Sequence, residues 1–157
     1  MMKIDFVLNE EKVSVEVEHS NRLLDVLRDD LHQISVKEGC GEGECGSCSV
    51  LMNGKLVNSC LIAIASVDGC HILTLEGYRK TKRFEAIRKG FEVSGSVQCG
   101  FCTPGFVLAA EALLSENPDP SALEVMKGIE GNLCRCTGYQ MIVAGILEAK
   151  EIGKGLW

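Results

Sequence analysis

Eight of the nine cysteines in this 157-residue chain fall into two groups of four, and any fold must bring each group together or leave it unexplained. Cys40, Cys45 and Cys48 follow a C-x4-C-x2-C spacing, and Cys60 follows after eleven intervening residues. Cys99 and Cys102 form a C-x2-C pair; Cys134 and Cys136 form a C-x-C pair about thirty residues further on. Cys70 stands alone and reads as a small buried hydrophobe. A disulfide framework is the first alternative, but the number is odd, and the opening Met1–Phe6 alternates and carries an early acid, unlike an export signal. With 46% hydrophobic and 24% charged residues, the chain builds a core without covalent staples. The expected compartment is therefore the cytoplasm, whose reducing conditions disfavour disulfides and favour metal ligation.

The first group has a specific form. C-x4-C-x2-C…C is the plant-type spacing for a [2Fe–2S] cluster. Two irons need two thiolates each, so one tight loop must deliver three ligands from several sides. Gly39, Gly41, Gly43 and Gly46 give it the necessary conformational freedom, and their N–H groups can point at sulfur. A structural zinc site usually presents paired C-x2-4-C knuckles, which fits this spacing less well.

The surrounding pattern changes along the chain. Residues 3–8 and 13–17 read as a strand pair joined by the polar turn 9–12. Ser20 or Asn21 is placed to cap a helix bearing Leu23, Leu24, Leu27 and Leu31. Residues 49–52 and 55–58 flank Asn53-Gly54, a strong hairpin signal, and residues 71–75 make a further strand. Tyr78–Arg83 reads as a basic, polar linker. Beyond it the period is helical, with four helices around Phe84–Phe91, from Pro104 to Asn117, from a Ser121/Glu124 capping box, and from Tyr139 to about Ile152. The expected fold class is α+β, with a β-rich domain at about 1–77 and an all-α domain at about 83–157.

Both cysteine pairs of the second group precede helices, each followed by a threonine, Thr103 or Thr137, suited to an N-cap. A four-thiolate diiron cluster is an anion, and helix N-termini favour negative charge. Arg135 either adds to this field or is merely solvated. A thioredoxin-like C-x-x-C is disfavoured because no βαβ pattern surrounds Cys99. A Rieske centre needs two histidines, and His19, His32 and His71 lie away from the pairs.

Three stretches, Val36–Cys48, Gln98–Gly105 and Gly131–Tyr139, taken together resemble the small iron–sulfur subunit of the molybdenum hydroxylases, a family that includes xanthine dehydrogenase. The resemblance covers nearly the whole chain, and all eight ligand positions match. It implies a β-grasp ferredoxin-like domain followed by a four-helix-bundle domain, whose two longer helices face each other across a buried cluster. It implies two [2Fe–2S] clusters that relay single electrons from a molybdopterin centre to FAD, with Gln98 touching the pterin and Cys136 nearest to it. Molybdopterin and FAD then belong to partner subunits, since this chain shows no dinucleotide fingerprint opening a helix. The substrate it suggests is a purine such as xanthine or hypoxanthine. Aldehyde, nicotinate, carbon monoxide and hydroxybenzoyl-CoA enzymes are the alternatives within the family; a free two-cluster ferredoxin or a zinc-dependent adaptor lies outside it.

Net charge is −6 with no Lys/Arg block, which argues against nucleic acid, and no apolar run reaches the length of a membrane span. The two-group reading predicts that Cys45→Ala removes one cluster signal in electron paramagnetic resonance (EPR) and spares the other. Loss of both signals would show that the two groups do not assemble independently.

Overall fold

The computed structural model describes all 157 residues. β1 (Met2–Leu8) and β2 (Glu11–Val17) form an antiparallel hairpin. Alternation turns Ile4, Phe6, Leu8, Val15 and Val17 inward, leaving Lys3, Asp5, Ser14 and Glu16 outside. The turn is only Asn9-Glu10, tighter than the 9–12 span expected, and both residues take positive φ, 51° and 72°. A two-residue hairpin needs that twist. Asn9 is also held from outside: its Oδ1 accepts from Thr74 N–H at 2.9 Å, and its Nδ2 donates to Gln33 Oε1 at 2.8 Å.

The leucine-rich stretch departs from a simple helix. α1 (Leu23–Asp25) widens at once into a π-type turn over Val26–Asp30. The wide turn carries Val26 inward with Leu23, Leu24 and Leu27, and all four are fully buried. Each such side chain stabilises the fold by roughly 1.5–3 kcal/mol. Neither Ser20 nor Asn21 caps this helix. Arg22 occupies the N-cap, because its backbone is bridged to Ala63 in extended form. The Arg22 guanidinium binds Asp25 at 2.6 Å and Glu38 at 2.7 Å.

β3 (Ser49–Met52) and β4 (Lys55–Asn58) pair around Asn53-Gly54 in the expected register. β5 (His71–Leu73) then slots between them and the first hairpin, parallel to β1 and antiparallel to β3. The five-stranded mixed sheet thus runs β2-β1-β5-β3-β4.

The helical part begins with the short α2 (Leu75–Tyr78), followed by α3 (Lys82–Val93), α4 (Thr103–Glu116), α5 (Ala122–Gly128) and α6 (Gln140–Ile152). The Ser121/Glu124 capping box of α5 is present in both directions. α3 and α6 approach until Gly90 faces the Gly145 carbonyl, a contact no larger residue permits. Ile87, Phe91, Phe106, Leu114, Ile142 and Ile146 share one core, and Leu51 of β3 joins it. The sheet is therefore packed against α4 rather than tethered to it.

The segment expected to be a polar linker is anchored instead. Tyr78 is buried, and its hydroxyl donates to Glu111 Oε2 at 2.5 Å. Glu111, itself buried in α4, also accepts from Arg83 Nη1 at 2.9 Å, Ser115 Oγ at 2.9 Å and Trp157 Nε1 at 2.8 Å. Burial and this carboxylate push the Tyr78 phenol well above its usual range. One acidic side chain thus fastens the segment between sheet and helices, α3 and the C-terminal tryptophan. Glu111→Ala leaves those donors without their shared acceptor, so it is expected to destabilise the chain by about 2–4 kcal/mol, read by urea denaturation.

Candidate functional site

The hairpin β3–β4 explains the longest gap in the first cysteine group. Ser49 pairs with Asn58 at the open end of the ladder, and Ser59 N–H continues it to Cys48 O at 3.3 Å. The Ser59 hydroxyl donates to the same carbonyl at 2.7 Å. Cys48 and Cys60 thereby lie side by side, both buried, within thiol–thiol hydrogen-bonding reach. Cys40 and Cys45 come together at the other end of the loop. Cys60 also feels the charge of Cys40, so the two pairs face each other.

The loop's backbone points at sulfur. Glu42 N–H and Glu44 N–H both donate to Cys40 Sγ at 3.3 Å, and Cys40 N–H donates to Cys45 Sγ at 3.4 Å. Gly41, Gly43 and Gly46 all take positive φ, and a Cβ at Gly43 would collide with Leu61. The N–H groups of Glu42 and Glu44 bring the Cys40 thiol down to about 7, whereas burial pushes Cys60 up to about 11.

The second group also associates two and two. Cys99 meets Cys136, and Cys102 meets Cys134. Charge coupling between Cys99 and Cys102 and between Cys134 and Cys136 links the pairs. Cys102 stands at the N-cap of α4, but Cys136 lies four residues before α6, so the expected placement at a helix start holds for the first pair only. The threonines, however, do not cap. Thr103 is already the first residue of α4, and Tyr139, not Thr137, precedes α6. Burial pushes Cys102 up to about 12. Burial also acts upward on Cys134, but the Thr137 hydroxyl and the Cys136 and Thr137 N–H groups outweigh it and bring that thiol down to about 7.

No three Cys, His, Asp or Glu side chains converge closely enough to share a single metal ion. Eight sulfurs in four pairs, with the pairs facing in twos, suit a diiron core at each group, in which each iron would take one pair. A tetrahedral zinc site needs all four sulfurs on one centre. Cys99 and Cys136 are exposed, while Cys102 and Cys134 are half-buried, so on this chain the second site opens at the surface rather than lying wholly within the helices. Gln98, beside Cys99, is exposed as well and makes no side-chain hydrogen bond. Arg135 is exposed without an ion pair, in keeping with a solvated side chain. The three histidines are exposed, and Cys70 packs on the sheet's core.

The two sites are joined directly. Leu133 N–H donates to Cys45 O at 2.9 Å, and Asn132 Nδ2 to Gly46 O at 3.2 Å. A cysteine of one group is thus hydrogen-bonded to the residue preceding a cysteine of the other. Sequence reasoning missed Asn132, which is buried but carries no spacing signal.

Comparison with known proteins gives both halves a family. Residues 6–68 match the family described as 2Fe-2S iron-sulfur cluster binding domain, and residues 74–147 the family described as [2Fe-2S] binding domain. The chain is 47% identical over 148 residues to the nicotinate dehydrogenase small FeS subunit of Eubacterium barkeri, covering 94% of each. It is 45% identical over 120 residues to the xanthine dehydrogenase iron-sulfur-binding subunit of Escherichia coli O157:H7, covering 75% of this chain and 76% of that one. Among solved structures it matches a chain of quinoline 2-oxidoreductase from Pseudomonas putida 86 with a TM-score of 0.90 and 38% identity, over 98% of this chain and 97% of that one. It also matches the aldehyde oxidoreductase from Desulfovibrio gigas with a TM-score of 0.92 and 36% identity, over 100% of this chain but only 18% of that one. There the counterpart is one part of a longer polypeptide.

The contact between the sites is tight enough to test. A Cβ at Gly46 would run into the Asn132 side chain and the Gly131 carbonyl, and Gly46 has φ 69°. Gly54 has φ 80° with nothing within 4 Å. Gly54→Ala is expected to cost only backbone strain, about 1 kcal/mol. Gly46→Ala adds the clash, for about 2–4 kcal/mol in all by chemical denaturation.

Proposed function

This chain belongs to the small iron–sulfur subunit family of the molybdenum hydroxylases, and we propose from that premise that it relays single electrons between a molybdopterin subunit and an FAD subunit. Cys40, Cys45, Cys48 and Cys60 hold one [2Fe–2S] cluster; Cys99, Cys102, Cys134 and Cys136 hold the other. Each cluster, when bound, supplies a one-electron redox couple. The protein supplies thiolate pairs, sulfur-directed N–H groups and a fixed separation between the sites. Gln98 and Cys136 lie next to Cys99 on one exposed edge, and we place the pterin there.

The proposed domains are a β-grasp ferredoxin-like unit at 1–77 and a four-helix bundle at 83–157. The parallel β1–β5 pairing at the centre of the sheet and the single core shared by α3–α6 support them. No helix is long and apolar enough to cross a membrane. Cysteine usage supports the cytoplasm as the compartment.

The observation that carries the subunit reading is apolar surface concentrated at the second site. Val97, Phe101 and Leu133, each adjacent to or one residue removed from a ligand cysteine, are 47%, 46% and 52% exposed. Beside them an apolar groove of about 610 Å3 runs between α5 and α6, lined by Met126, Ile129, Leu133, Tyr139, Val143 and Leu147. A carrier that diffuses freely has no use for such a surface, whereas a subunit covers it with its partner. The relatives inform the proposed substrate class. The likeness to a nicotinate enzyme is as strong as that to a xanthine enzyme, so we widen the expected purine to a nitrogen heterocycle.

Purification from the native source tests this reading. The expected result is about four irons and four acid-labile sulfides per chain, together with larger subunits carrying molybdenum and flavin. Zinc in place of iron would overturn the cluster assignment. A stable monomer with both clusters and no such companions would favour the free ferredoxin.

A further inference from the structure

Thr137 has a partner that no spacing rule suggests. Its hydroxyl, in a residue only 8% exposed, donates to Cys134 Sγ at 3.1 Å. The same oxygen accepts from Tyr139 N–H at 3.3 Å. The Tyr139 phenol turns back and accepts from Cys134 N–H at 3.1 Å. Three hydrogen bonds thus close a small ring around one ligand. The ring requires Tyr139 to adopt φ 71° and ψ −30°, straight after Gly138 at φ 66°. Left-handed backbone at a bulky residue persists only where its surroundings impose it. Phe106 does so here by seating the tyrosine ring, at 6.4 Å between centroids.

The order of donors gives the ring a direction. Tyr139 N–H polarises the Thr137 hydroxyl, and a hydroxyl that accepts a hydrogen bond is a stronger donor. That strengthened donor ends on a sulfur. Cys99, Cys102 and Cys136 have no side-chain hydroxyl on their sulfurs. Hydrogen bonds to ligand sulfur favour the more negative state of an iron–sulfur cluster.

We propose that Thr137, held by Tyr139, is a positioning residue whose hydroxyl raises the reduction potential of the cluster bound by Cys99, Cys102, Cys134 and Cys136. The proposal rests on the assignment of that cluster given above. On reduction one electron enters the cluster, no proton changes owner, and the Thr137 proton stays on its oxygen while its hydrogen bond to sulfur strengthens. Tyr139 acts only through Thr137 and the Cys134 backbone, by orienting both and polarising the hydroxyl.

The test is a redox titration of the full chain, with its accompanying subunits, followed by EPR. Thr137→Val keeps the shape and removes the hydroxyl. At the unmodified midpoint it is expected to lower the ratio of reduced to oxidised second cluster about tenfold, a downward shift of ~59 mV for one electron. Thr137→Ser is expected to restore the potential, and the first cluster stays where it was. Equal potentials in the Val and Ser chains, or equal shifts of both clusters, would overturn the proposal. Should the Val chain lose the second cluster, Thr137→Ala against Thr137→Ser makes the same comparison without a β-branch; equality there is also fatal. An unmodified chain with only two irons would show a different failure, that of the cluster assignment itself.

Discussion

Concentrated thiolate charge has to be balanced, and here the balance comes from backbone N–H groups rather than from cationic side chains. The first loop makes the point plainly, since Glu38, Glu42 and Glu44 surround its cysteines. Glu38 is paired with Arg22 and the exposed carboxylates of Glu42 and Glu44 face water, while the N–H groups of Glu42 and Glu44 turn onto Cys40. A backbone arranged this way forgoes the ladder that would normally satisfy and stiffen it. Rigidity is imported from the sheet: the β3–β4 hairpin holds Cys48 and Cys60, and the Lys37 N–H bond to Ser47 O closes the loop across its base at 3.0 Å. The compact mixed sheet frames a segment with little core of its own.

Local signals carried most of the legible part. Asn53-Gly54 gave the register of its hairpin because a hairpin is settled by its own turn and neighbours, whereas the period-two strands gave the first hairpin's faces but not its tighter turn. The Ser121/Glu124 box was readable for the same reason. Cysteine spacing separated the two groups, and each group is brought together in the fold. What could not be read depends on partners distant in sequence. Tyr78 looked like linker because its acceptor, Glu111, lies 33 residues away on another helix. Leu51 looked like an ordinary strand residue, although it packs into the helical core.

Thr103 and Thr137 fail for a subtler reason. A threonine before a helix has two competing uses, as an N-cap acceptor or as a donor to another group. Local sequence favours the cap by statistics alone. At Thr137 a sulfur three residues earlier takes the hydroxyl, and the helix starts only after Tyr139. A sequence pattern names the candidates for a hydrogen bond but does not rank them when one candidate is a cysteine sulfur.

The same reasoning explains why the joint between the two sites is built from loops. Loops are ordinarily the mobile part of a fold. Here Gly46, Ser47 and Asn132 are buried, and the Cys45 carbonyl receives the Leu133 N–H. Leu133 is covalently next to Cys134, so one hydrogen bond and a few covalent bonds connect a cysteine of each group. A single-electron relay gains from that arrangement, because separation between centres is then set by backbone rather than by side-chain rotamers. The packing of β3 and β4 on α4 holds the bond in place, and the Glu111 network ties both ends of the connecting segment to α4. The two domains are separate in sequence and in family, but mechanically the structure makes them one body at the point where their sites meet.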